Sequence, residues 1–291
     1  MEISKFLKKK TLIVCNDSGA GYQIYYFLKT KKKKSFSFYL KGPSKRIFKR
    51  LNSYNSLKKA IMHSDTILTG TGWQTDTEYS AIKYAFELKK RVISFVDAPH
   101  NINFRFDRKG KSYFPNVIVT KDRLSYRKVK QVVPRSTRVL KTKDYYLDYV
   151  KKNRIKPKNN RIIYLSSNFD NILSKLKKRK FNYDISLLSF FIKKIKKIKK
   201  FQNLQIFLKL HPSEKAKKYE NSKIFRSLQI KLTKENNLLN CLKNFRYVFG
   251  CETFALVVAK YYGLDVYNNI KGINKLYIKP ILSREYKIKK I

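Results

Sequence analysis

Short apolar blocks recur along the chain, each closed by a polar or glycine-bearing turn, with stretches of helical spacing between them. TLIVC at 11–15 reads as a parallel strand buried on both faces, and NDSGAG follows it before the helix-like YQIYYFLK. SFSFYL at 35–40, TILTGTGW at 66–73, RVISFVD at 91–97 and NVIVT at 116–120 read as further strands. PSKRIFKRL, LKKAIMHS and TDTEYSAIKYAFELKK read as the intervening helices. In the last of these, Thr75 with Glu78 three residues on predicts a capping box, and Ile82 and Phe86 are expected on one buried face. Strands alternating with helices in this way predict a parallel sheet covered by helices on both sides.

The pattern breaks at residues 141–160, KTKDYYLDYVKKNRIKPKNN, a polar and charged stretch with Pro157 near its end. Beyond it a second alternating series begins with RIIYLSS at 161–167 and continues through a basic helix at about 184–200, LQIFLKL and RYVF. Its final unit is RYVFG, a CET turn, the apolar helix FALVVAKYY closed by Gly263, and LDVYN, which together make a βαβ unit. The expected organisation is an amino-terminal α/β domain over 1–140, a linker over 141–160 and a carboxy-terminal α/β domain over 161–291.

Composition narrows the partners. Hydrophobic residues make up 43% of the 291, too many for a disordered polyelectrolyte. Lys and Arg number 68 against 19 Asp and Glu, a formal charge of +49 that points to phosphates in nucleotides, nucleic acid or lipid head groups. Lys, Ile, Asn, Tyr and Phe also share A/T-rich codons, so base composition is a rival source of the lysines. Cys15, Cys241 and Cys251 are odd in number and widely spaced, without the pairing of a disulfide framework or zinc site, and a reducing cytoplasm suits them. The amino terminus lacks the long apolar core of a signal peptide, and the longest clean apolar run, Phe254 to Ala259, is far below the roughly 20 residues of a bilayer span. A cytoplasmic protein is expected, with peripheral attachment to the inner membrane face as an option. SLLSFFIKKIKKIKK offers one route: Ile192, Ile195 and Ile198 face one way, and the lysines between them either stay solvated or meet anionic lipid.

Ligands of open α/β sheets bind at the carboxyl ends of strands, so the loops after strands hold the candidate chemistry. His211 leaves LQIFLKL with Pro212 behind it, which holds the histidine extended and fixes where its ring points. Gly250 to Thr253 opens the FALVVAKYY helix, whose first-turn amides and the Thr253 hydroxyl suit a phosphate, and Glu214 lines the His211 loop. In the first domain Asp97 ends a strand with His100 three residues on, and Asp17 lies in NDSGAG, so three groups compete for the role of a general base. Gly19 and Gly21 allow close approach of a substrate, although NDSGAG is not GxGxxG and lacks the lysine of a Walker A loop. Trp73, after Gly72, is placed to stack on a sugar ring.

KLHPSE at 209–214, followed by Lys218-Tyr219, and GCETFALVVAKYYGLDVY at 250–267 resemble motifs of the bacterial sialyltransferase and polysialyltransferase-like glycosyltransferases of capsule and lipooligosaccharide synthesis. The resemblance implies a GT-B architecture, two Rossmann-like domains with parallel sheets facing a cleft. It assigns His211, Pro212 and Thr253 to the phosphate of a CMP-sugar. Where family members often carry Ser-Ser or Ser-Thr, this chain has Cys251-Glu252-Thr253. TGTGWQTDTEYSAIKYAFELKKRVISFVDAPHNINFRF similarly resembles transferase segments in which a strand ends in Asp shortly before a His or aromatic residue. The expected function is a metal-independent glycosyltransferase, without a cofactor, that moves a sugar, with a sialic acid-like one among the candidates, from a nucleotide donor to an envelope glycan or lipid-linked acceptor. Two alternatives stand beside it: a basic nucleic-acid-binding protein without activity, which lacks any recognised binding module, and a nucleotide-sugar epimerase or hydrolase on the same fold.

Overall fold

The computed structural model describes residues 3–31, 35–49, 51–157, 159–177, 182–222, 225–226, 230–269 and 281–290. The chain divides into two compact units, Met1–Tyr149 and Val150–Ile291, and each is an α/β layer structure built on its own six-stranded parallel sheet.

The first unit contains β1 (Thr11–Cys15), β2 (Phe36–Leu40), β3 (Thr66–Thr69), β4 (Arg91–Val96), a small antiparallel hairpin of β5 (Asp107–Arg108) and β6 (Lys111–Ser112), then β7 (Val117–Thr120) and β8 (Arg138–Lys141). Its sheet runs β2-β1-β3-β4-β7-β8. Every residue of β1 is buried, because Ile13 and Cys15 enter the core on one face while Leu12 and Val14 enter the core on the other. That two-sided burial is why TLIVC is apolar after Thr11, whose hydroxyl donates to the Lys8 carbonyl.

The capping box does not form. The helix Thr77–Glu87 begins after Asp76, whose side chain makes no capping bond, and Glu78 turns instead to amides of the loop after β1. Phe86 also departs from the expected face. The stripe against the sheet is Glu78, Ala81, Ile82 and Ala85, whose two alanines let the helix sit close, and Phe86 falls beyond its edge, 64% exposed. Residues 141–160 hold the helix Tyr145–Lys152, and the division between units falls within it. Tyr146 stacks on Tyr22 at 4.4 Å and Tyr149 on Tyr26 at 4.1 Å, fastening this helix to Ser18–Lys29.

The second unit contains β9 (Ile162–Leu165), β10 (Ile206–Lys209), β11 (Lys231–Leu232), β12 (Tyr247–Gly250), β13 (Asp265–Asn268) and β14 (Lys289–Lys290), ordered β11-β10-β9-β12-β13-β14. Counted within the unit this is the 3-2-1-4-5-6 order of dinucleotide-binding sheets, whereas the first unit follows the flavodoxin-like 2-1-3-4-5 order with one strand added. The basic helix spans Tyr183–Ile195, and its buried side carries Leu187, Leu188, Phe191, Ile192 and Ile195. No described helix is long and apolar enough to cross a membrane.

Candidate functional site

Each sheet has one place where the strand order reverses, and there the loops leave in opposite directions and open a crevice. In the second unit this point lies between β9 and β12. The loop after β9, Ser166 to Asn168, ties its neighbours together. Ser167 Oγ donates to the Cys251 carbonyl at 2.6 Å, Asn168 Nδ2 donates to Ser213 Oγ at 2.6 Å, and Ser166 Oγ donates to Glu214 Oε2. The loops carrying His211 and Cys251 are thus joined through a third, which sequence reasoning read only as the end of a strand.

Glu214 fixes the His-Pro corner from beneath. Its side chain is 1% exposed, and its Oε2 accepts the His211 backbone N–H at 3.1 Å. Its Oε1 accepts from Lys218 Nζ at 2.9 Å and Tyr219 Oη at 3.0 Å. Lys218 also meets Asp184 at 2.5 Å and Asp170 at 2.8 Å, so one ammonium holds three carboxylates. Despite its partial burial, these bonds raise the Lys218 pKa and keep it charged. The His211 ring receives the Ser213 backbone N–H on Nδ1 at 3.3 Å, with Ser213 Oγ 2.7 Å from the same nitrogen. Burial lowers the His211 pKa, so the ring is neutral at pH 7; with Nδ1 accepting, the proton sits on Nε2 as a donor.

Across β9, the helix Phe254–Tyr262 starts at Thr253, whose side chain makes no capping bond. Gly250 is required just before it, because a β-carbon there would lie 2.8 Å from the Leu165 carbonyl oxygen. Glu252, at φ 43°, is turned away to other work: its carboxylate accepts from Asn268 Nδ2 at 2.6 Å and from the amides of Leu282 and Ser283 at 2.8 and 3.3 Å. Its negative charge is therefore matched by the start of the helix Ile281–Glu285.

In the first unit the order reverses between β1 and β3. Glu78, fully buried, accepts the amides of Asn16 and Asp17 on Oε1 at 2.7 and 3.1 Å. Its Oε2 has no hydrogen-bond partner among the described residues and lies 3.1 Å from where a β-carbon on Gly72 would sit. Asp97 pairs with Arg105 at 2.8 Å, and Arg105 also donates to the carbonyl and hydroxyl of Thr71. A β-carbon on Gly19 would fall 2.0 Å from Asp97 Oδ2, so this carboxylate rests against bare backbone. Gly21 stands apart, packed against Ile47, Cys15 and Ser44. Trp73 lies 6.3 Å from the exposed Phe104 ring.

The three acids titrate differently. Burial would raise Asp97, but Arg105 and Lys121 outweigh it and hold the group below the usual carboxylate range. Burial, then the charges of Asp97 and Glu78, push Asp17 up to about 7. Burial also raises Glu78. His100 is lowered to about 4, first by burial and then by Lys128 and Arg105, and is neutral at pH 7. Among the described residues no three His, Cys, Asp or Glu side chains are grouped as metal ligands. Arg105 and Glu78 went unread in the sequence: INFRF carries no signal, and Glu78 suggested a cap.

No family model matches this sequence, and no curated protein matches it. Solved structures do match its shape. UDP-GlcNAc 2-epimerase from Methanocaldococcus jannaschii superposes with a TM-score of 0.63 at 12% identity over 97% of this chain and 88% of its own. The Neisseria meningitidis UDP-GlcNAc 2-epimerase bound to UDP-GlcNAc gives 0.57 at 12% identity, over 89% and 82%. The glycotransferase of kitacinnamycin gives 0.50 at 9% identity, over 97% and 85%. With two six-stranded parallel sheets of these orders, the chain has the two-domain α/β fold of GT-B type.

Proposed function

We propose that this chain is a glycosyltransferase that uses a nucleotide-sugar. The observation carrying the reading is the joined His211, Ser166–Asn168 and Thr253 loops at the strand-order reversal of the second unit. A neutral His211 donating through Nε2 and the first-turn amides of the Phe254–Tyr262 helix suit the phosphate of the donor and stabilise it as it leaves. In the first unit, Asp17 is the group best suited as base, since a carboxylate near pKa 7 both accepts a proton and is available at neutral pH. In transfer the acceptor hydroxyl gives its proton to a base, its oxygen bonds to the anomeric carbon, and the anomeric C–O bond to phosphate breaks with both electrons leaving on the nucleotide.

The His-Pro resemblance favours a cytidine donor and a sialic acid-like sugar, with an envelope polysaccharide, lipooligosaccharide or lipid-linked acceptor. A second reading, a nucleotide-sugar epimerase, is favoured by the two UDP-GlcNAc 2-epimerases of similar shape and by acidic groups of contrasting pKa at one site. Calorimetric titration with CMP, CDP, UDP and GDP, followed by turnover assays with and without acceptor, tests both. Binding of one nucleotide with acceptor-dependent release supports the transferase. Acceptor-free isomerisation of the sugar replaces it with the epimerase, and no nucleotide binding removes both.

A further inference from the structure

The amino edge of the first unit's sheet, opposite its carboxyl-end loops, carries the two most exposed large apolar side chains, Met62 at 55% and Phe86 at 64%. Each ends a helix that runs back to this edge, Leu57–Met62 leading into β3 and Thr77–Glu87 into β4. Lys90 links them: its backbone N–H donates to the Ala85 carbonyl, one residue before Phe86, at 2.8 Å, and its Nζ donates to the Met62 carbonyl at 3.4 Å. Phe86 is held outward by an edge contact with Tyr113 at 5.6 Å.

Cations surround the pair. Lys8, Lys9 and Lys10 enter β1 exposed, and Lys89 and Arg91 lie exposed beside Phe86. The two acids nearby are already engaged, Asp65 with the Lys10 amide and Glu87 with Lys83 at 3.8 Å. Net positive charge around two protruding apolar side chains is complementary to a surface with anionic head groups over an apolar interior. A dissolved polyanion matches the cations but gives Met62 and Phe86 nothing to enter.

We propose that this edge docks on an anionic lipid bilayer, with Met62 and Phe86 inserted among the acyl chains and Lys8, Lys9, Lys10, Lys89 and Arg91 against the head groups. The proposal concerns a surface away from the candidate site and stands whichever reaction the chain performs.

The test is co-sedimentation with phosphatidylcholine vesicles containing about 30% phosphatidylglycerol, beside pure phosphatidylcholine, at about 0.15 M salt. The protein is expected to bind the anionic vesicles alone. Met62→Ser with Phe86→Ser should weaken binding about tenfold, since each loses apolar burial, with the thermal unfolding curve unchanged. Lys8→Gln, Lys9→Gln and Lys10→Gln together should weaken it by about fivefold per charge. Changing Lys193, Lys196 and Lys197 in the second unit to Gln should leave it intact. Full binding by the serine variant, loss of binding through the second-unit lysines alone, equal sedimentation with neutral vesicles, or sedimentation without vesicles through self-association would each overturn the assignment.

Discussion

The carboxyl edges of the two sheets are built alike, and both gather carboxylates, but they hold them differently. At the first, Asp17, Glu78 and Asp97 act on one another through their charges, Asp97 is paired with Arg105, and Asp17 has a pKa near neutrality. At the second, Glu214, Asp170 and Asp184 are drawn beneath the loop by Lys218, and Glu252 is turned onto a later helix, so His211 and a helix start are what remains at the surface. The difference teaches how one topology serves two tasks. Carboxylates buried beside one another become proton acceptors, and carboxylates gathered on one ammonium and on backbone amides become scaffolding for an anion site.

Breaking the matched side has the largest expected effect. Lys218→Met leaves three close carboxylates uncompensated, and the second unit should lose about 3–5 kcal/mol in denaturant unfolding. The loss should shrink as pH falls, because protonating those carboxylates relieves their repulsion; a variant as stable as wild type at pH 8 removes the scaffold argument. Next comes the acid side. Asp17→Asn should lower turnover by about 100-fold or more while nucleotide affinity in calorimetry stays as it was. In the wild type the rate should rise with pH through about 7 as Asp17 ionises. Asp97→Asn removes a charge that raises Asp17 and should move that rise to lower pH. If Asp97→Asn instead abolishes turnover at every pH, Asp97 is the base.

His211→Ala should weaken nucleotide binding by about 1.5–3 kcal/mol, through loss of a hydrogen bond to a charged group. An unchanged dissociation constant would detach the His-Pro corner from the donor. The smallest effect is on stability. Because folding raises the Asp17 pKa to about 7, the folded protein binds a proton that the unfolded chain has already released above about pH 4, so stability falls as pH rises between these values. Asp17→Asn should therefore be more stable than wild type at pH 8, by about 1 kcal/mol after allowance for its partial exposure to solvent, and no more stable at pH 4.

Strands such as TLIVC, RVISFVD and RIIYLSS were legible because burial on both faces leaves mostly apolar residues in a row. The two-residue strands β11 and β14 were not, since two residues carry no period. Loops after strands were read as places for polar chemistry, and His211, Asp17 and Asp97 stood out by residue type alone. Their tuning was hidden. Arg105 reaches Asp97 from eight residues away and Glu78 reaches Asn16 from 62, and Glu78 looked like a local cap because a spacing of three fits one. Phe86 shows the limit of periodicity most plainly. It lies four residues from the buried Ile82, yet the alanines at 81 and 85 set which side faces the sheet.

The grip of Glu252 on Leu282 and Ser283 has a practical side. Shortening the chain before the Ile281–Glu285 helix would strip the amides from a carboxylate that sits next to Thr253, and the damage would register as poor anion affinity in an otherwise folded protein.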